Sequence, residues 1–211
     1  MSQSFAKIAF TPLVKEHQTL HGSRLQYERV EQSGHAGDRL SESERDFITS
    51  RDSFYMASVS ETGWPYIQHR GGRTGFLHVL DDRTLAFPDY RGNRQYVSVG
   101  NLQHDDRVAL FLMDYPSQTR LKILGHAAIR EVDVAGELIE KIAMPSESGI
   151  IERVIVINVN AFDWNCQQHI TPRYTEEQVV PVLSPLQQRI AELEKENKRL
   201  RAELEGSAAT K

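Results

Sequence analysis

The stretch FYMASVSETGWPYIQHR, residues 54–70, decides how the chain is read. Two runs, 54–60 and 64–70, flank Glu61-Thr62-Gly63, turn chemistry that suits a hairpin. The pattern repeats downstream. TGFLHVL (74–80) and TLAFP (84–88) flank Asp81-Asp82-Arg83, and RVALFLM (107–113) and RLKILGHAAI (120–129) flank Asp114-Tyr115-Pro116-Ser117. ERVIVINVNAF (152–162) is rich in β-branched residues and alternates. Helix patterns occur between these runs at about 92–103 and 131–142. An open parallel sheet would need a crossover helix after nearly every strand. The expected fold class is therefore mainly β with helical additions (α+β), a closed or partly closed barrel.

Composition bounds the rest. The chain has 211 residues, 39% hydrophobic and 26% charged, enough for one core plus appendages. A net charge of −4 gives no global attraction to nucleic acid. The opening MSQSFAKIAF lacks a signal-peptide apolar run, and no stretch approaches the roughly 20 apolar residues of a membrane span. The single cysteine, Cys166, cannot form an internal disulfide, which fits a reducing cytoplasm. Residues 1–40 read as a helical and irregular extension, with a helix after Pro12 and a loose SGHAGDR segment. Ser41 and Glu44 form a capping-box pattern that opens the main domain, 41–180.

The C-terminal segment SPLQQRIAELEKENKRLRAELEG changes period. Leu186, Leu193 and Leu200 fall at d and Ile190, Asn197 and Leu204 at a of a heptad repeat. Ser184 and Pro185 are expected as N-cap and first-turn proline, and Gly206 as the stop, which bounds a coiled-coil helix at 184–206. In a parallel pair Arg189 faces Glu194 of the other chain and Glu196 faces Arg201, both attractive. The competing reading is an amphipathic helix lying on its own domain.

DYRGNRQ, residues 89–95, follows the apolar Leu85-Ala86-Phe87 with donors and a glycine. Phosphate binding wants a flexible backbone, unpaired N–H groups at a helix start and an arginine that can bond two oxygens. Gly92 supplies a turn, Asn93 a helix cap and Arg94 a clamp, with Arg91 a second; a solvated loop before a helix has the same appearance. His69, Arg70, Gly71 and Gly72 end another strand with polar groups and two glycines, where a ligand or another backbone would approach closely.

In order, GWPYIQHRGG, GFLHVLDDRTLAFPDYRGNRQ, NLQHDDRVALFLMDY and RLKILGHA resemble the pyridoxamine 5′-phosphate oxidase-like superfamily, in its predicted flavin-nucleotide-binding branch with HRGG and GNRQ signatures. The resemblance covers about residues 40–175, through AFDWNCQQHITPRY. It implies a split β-barrel that dimerises and holds FMN at the subunit interface. It puts Ile67, Gln68, His69, Arg70 and Gly71 along the isoalloxazine and ribityl chain, and Pro88, Asp89 and Tyr90 beside the flavin. Asn93, Arg94 and Gln95 would grip the phosphate, while Arg120 and Lys122 would reach the flavin from the partner subunit. Trp164 would cover the ring or fill the barrel end. DVAGELIEKIAMPSESGI lacks the arginine and aromatic of the true oxidases' substrate motif, and the terminal basic motif is replaced by the heptads. The implied function is thus an FMN-dependent oxidoreductase with a different substrate and a small-molecule electron donor and acceptor. The alternative is a non-catalytic flavin- or haem-binding sensing module.

Other residues carry less. His17 and His21 share a helical spacing without a third metal ligand, and His104-Asp105-Asp106 reads as a turn. Cys166 near His169 reads as a small packed thiol rather than a nucleophile. No Ser-His-Asp set, paired carboxylates or metal cluster stands out, so redox chemistry would have to come from a bound cofactor.

Overall fold

The computed structural model of the chain describes residues 5–32, 37–143, 149–164 and 168–208. Cys166 and residues 33–36 of the SGHAGDR segment fall outside that set. Two compact units divide the chain, one made of 1–114 and 118–170 and the other of 115–117 and 171–211.

The first unit begins with three short helices, α1 (Phe5–Ala9), α2 (Pro12–Leu20) and α3 (Arg24–Gln32), then α4 (Glu42–Thr49). Its sheet comprises β1 (Ser53–Val59), β2 (Pro65–Gly71), β3 (His78–Val79), β4 (Thr84–Tyr90), β5 (Arg107–Asp114), β6 (Thr119–Glu131) and β7 (Ile151–Trp164). Helix α5 (Val97–His104) lies between β4 and β5, and α6 (Val132–Ile142) between β6 and β7. All pairings are antiparallel, in the order β2-β1-β5-β6-β7-β4-β3. The expected hairpin turns are present, and the fold is α+β, as expected. The hydrogen-bonded order does not close, so the barrel expectation holds only in its partly closed form.

Alternation sets the core. Phe54 and Met56 of β1, Leu110 and Leu112 of β5, Leu121 and Ile123 of β6 and Ile155 and Ile157 of β7 share one cluster with Phe76, Leu77 and Phe87. Phe54, Phe76 and Phe87 meet as an aromatic triad, with Phe54 and Phe87 edge to face at 5.2 Å. β4 is buried on both sides, because Ala86 packs with Val154 of β7 and with Ala135 and Ile142 of α6. Gly125 marks a bulge between β6 and β7, where a Cβ would sit 2.4 Å from the Asn158 carbonyl oxygen.

Ser41 N–H donates to Glu44 at 2.9 Å, which bears out the capping pattern. Three expectations shift. The run 74–80 contributes only the two residues of β3, because Gly75 turns at φ 88° and Phe76 and Leu77 are both buried instead of alternating. Helix α5 starts at Val97, not near residue 92. The C-terminal helix α7 runs Glu176–Ala208, so Pro181 and Pro185 lie inside it, Gly206 does not stop it, and Ser184 Oγ–H donates to the Val180 carbonyl instead of capping. Among the described residues no helix is long and apolar enough to cross a membrane.

Candidate functional site

The pleat divides the residues expected on β2. Tyr66, Gln68 and Arg70 pair with Ser58, Met56 and Phe54, the core-facing residues of β1. Pro65, Ile67, His69 and Gly71 point to the opposite face.

On the inner face Arg70 crosses the Phe87 ring at 5.7 Å and donates from Nη1 to Asp89 Oδ1 at 2.6 Å. Asp89, 7% exposed, accepts from Arg153 Nη1 at 3.0 Å through its other oxygen. Arg153 extends the chain of charges to Glu152 at 3.2 Å, and Arg91 Nε completes it at 2.8 Å. The hydrogen bond from Arg91 holds the Glu152 carboxyl below the usual carboxylate range. Arg70 Nε and Arg153 Nε are buried and make no hydrogen bond among the described residues.

These groups form the floor of a cleft whose rim is the loop from Gly92 to Tyr96 and the first turn of α5. Asn93 does not cap the helix. Its Oδ1 accepts from Gln95 N–H at 3.2 Å, while Tyr96 occupies the N-cap position. The left-handed residues are Arg94 (φ 62°) and Tyr96 (φ 54°), not Gly92, at which a Cβ would meet nothing within 4 Å. A side-chain-bearing residue in that region costs roughly 1–2 kcal/mol, a cost that clusters at ligand sites. The N–H groups of the first turn have no acceptor within the helix. Two hydrogen bonds anchor α5, Ser98 Oγ–H to Gln68 Oε1 at 2.7 Å and Asn101 Nδ2–H to Ser58 Oγ at 2.9 Å.

Gln68, Arg70, Asp89, Tyr90, Asn93, Arg94 and Gln95 are thus brought together. The others are not. Pro88 is buried one residue away on the α6 side of β4, paired with Val154. His69, Tyr55, Phe111, Lys122 and Asp163 follow one another across the outer face of β2, β1, β5, β6 and β7, with Arg120 and Ile67 on the same face. There the His69 ring meets Tyr55 edge on at 5.6 Å, Lys122 pairs with Asp163 at 2.8 Å, and Arg120 lies over Phe111 at 5.9 Å. The neighbour crowding Gly71 is its own strand's His69, whose ring would be 2.9 Å from an added Cβ. Trp164 packs edge to face on Phe47 at 4.8 Å and donates from Nε1 to Glu44 at 2.7 Å. Burial pushes the Glu44 carboxyl up, but hydrogen bonds from Ser41 and Trp164 outweigh it and hold it below its usual range.

Sequence reasoning missed Arg153, Glu152, Tyr96 and Ser98. The signal for Arg153 was present: an arginine within the apolar strand 152–162 needs a buried acid, and its register partner is Asp89.

The donor set fits an anionic phosphate ester. Arg94, the Gly92–Tyr96 backbone and the helix start supply donors at the rim, and both floor carboxylates are already neutralised by arginines. Among the described residues no group of three metal-ligating side chains occurs.

Comparison with known proteins found similar solved structures and one family model. A solved HupZ variant from Group A Streptococcus is 18% identical with a TM-score of 0.49, covering 59% of this chain and 98% of its own. A putative pyridoxamine 5′-phosphate oxidase from Lactobacillus delbrueckii is 23% identical with a TM-score of 0.46, covering 60% and 94%. General stress protein 26 from Bacillus anthracis is 17% identical with a TM-score of 0.44, covering 56% and 88%. Among curated proteins, none matches this chain. The family model described as pyridoxamine 5′-phosphate oxidase matches residues 40–163, more than half of the sequence, and the chain belongs to that family.

Proposed function

We propose that the protein is an FMN-binding flavoprotein of the reducing cytoplasm, an oxidoreductase whose substrate is not the B6 vitamer of the namesake enzymes. The observation that carries the reading is the pair of left-handed residues, Arg94 and Tyr96, at the entrance of α5. Strain at that point, with a guanidinium and unpaired N–H groups around it, suits a bound phosphate. Family membership favours a flavin nucleotide as the owner of that phosphate.

In this reading Asn93, Arg94, Gln95 and the first turn of α5 hold the phosphate, and Gln68 and Arg70 line the cleft toward the ring. Asp89 acts on Arg70 and Arg153, fixing the orientation of their guanidinium groups in the cleft floor. A bound flavin would supply the hydride and electron transfer. The outer row of His69, Arg120 and Lys122 lies across the sheet from the cleft, so it would serve a second chain's cofactor. The dimer this requires has apolar surface to use, with Trp64 75% and Ile67 66% exposed.

A second reading, a flavin-holding module without turnover, rests on one observation. Both carboxylates of the cleft, Asp89 and Glu152, are held by arginines rather than poised to move a proton.

The test is direct. Purified protein should be yellow and release FMN on denaturation; a haem spectrum would overturn the flavin assignment. Arg94→Ala should lose about 1.5–3 kcal/mol of FMN affinity with the oligomeric state unchanged, and unaltered affinity would remove the phosphate role. Bleaching by NADH or NADPH with recovery in air separates the oxidoreductase from the module.

A further inference from the structure

Helix α7 is 33 residues long and has no core of its own. Across 171–205 every residue but Val179 and Ser184 is exposed, Leu186 and Ile190 at 57% and 56%. An isolated helix with an apolar stripe is marginal in water, so something should cover it.

The structure starts α7 at Glu176, upstream of Pro185, and this changes what the stripe is. Carried backward from Leu186, the same heptad frame puts Leu183 at a and Val179 at d, adding two layers to the seam. In that frame Pro181 falls at f and Pro185 at c, both on the face turned away from the seam. A helix-interior proline breaks one hydrogen bond and bends the helix, but here the rings leave the seam unobstructed.

The occupant is identified by charge. In a parallel, in-register pair each g residue meets the e residue five positions on in the other chain. Arg189 then meets Glu194 and Glu196 meets Arg201, and symmetry repeats both contacts. The one polar seam residue, Asn197, is exposed in the single chain and would meet its own copy. A buried Asn pair at a favours two strands in register and penalises staggered or antiparallel ones.

We infer that α7 pairs with the α7 of a second copy of this chain as a parallel, in-register two-stranded coiled coil that begins at Val179 and passes through both prolines. The pairing is independent of whether a flavin binds.

Single cysteines in the full-length chain test this, with the native thiol removed by Cys166→Ser. Leu186→Cys and Leu200→Cys are both at d, two heptads apart. Each should self-link under mild oxidation at least ~10-fold faster than Lys195→Cys at the outer f position, because only the seam brings identical Cα atoms within disulfide reach. An antiparallel pair has a single centre and can link only one of the two. Self-linking of just one variant, or of neither above the Lys195→Cys rate, would overturn the inference.

Discussion

The two faces of β2 are built by opposite rules. Inward, Arg70 is locked between an aromatic ring and a buried carboxylate that a second arginine also holds. Outward, Ile67 stands in the open and the exposed His69 meets Tyr55 edge on. The inner side chains of this edge strand are held by partners within the chain, while Ile67 and His69 on the outer face are exposed. A motif such as HRGG, read as one unit along the sequence, therefore describes two environments.

The sharpest way to break this contrast is Asp89→Ala. It leaves the largely buried Arg70 without its counter-charge and Arg153 with only Glu152 and the more distant Glu131, and should cost about 3–5 kcal/mol. The outer pair gives the control. Lys122→Ala removes a partner of Asp163 in a pair exposed at 27% and 42%, and should cost no more than about 1 kcal/mol. Thermal denaturation of the two variants checks both; equal losses would mean the outer row is also an integral part of the fold.

A pair of glycines sharpens the contrast next. Gly125→Ala would drive a methyl group into the Asn158 carbonyl oxygen at 2.4 Å and should cost roughly 1–3 kcal/mol. Gly92→Ala, at the cleft rim, meets open space and should leave the melting temperature within a degree or so of the parent, since surface changes of this kind stay within about 0.5 kcal/mol.

The smallest effect concerns Glu44, whose native carboxyl is held below its usual range. Folding favours its ionised form. The stability it contributes is therefore complete above the ordinary value near about 4.3 and is lost as pH falls through the lower native value. Glu44→Gln should flatten the acid limb of a melting-temperature profile taken between about pH 3 and 7. An unchanged limb would show that the Trp164 and Ser41 hydrogen bonds survive protonation.

Much of this was legible. Alternating runs and turn residues gave β1, β2 and the β5–β6 hairpin, because a half-buried strand has to alternate. The capping box at Ser41 was legible for the same reason: its chemistry is local. What failed was non-local or degenerate. Phe76 and Leu77 look like strand residues, yet both plug the core from an irregular segment. A Ser-Pro pair reads alike at a helix start and inside one, so α7 was expected to begin eight residues late. Asn93 ahead of a helical pattern looks like a cap, but the backbone makes a tight turn first and hands the cap position to Tyr96. The facing of His69, Arg120 and Lys122 depended on strand register, which only the ladder reveals.

The two hydrogen bonds that bolt α5 to the sheet have a consequence for dynamics. Ser98 grips Gln68 on β2 and Asn101 grips Ser58 on β1, which ties the first turns of the helix to the outermost strand and its neighbour. An order-dependent coupling then runs between the two: quieting that turn should slow amide exchange along residues 65–71.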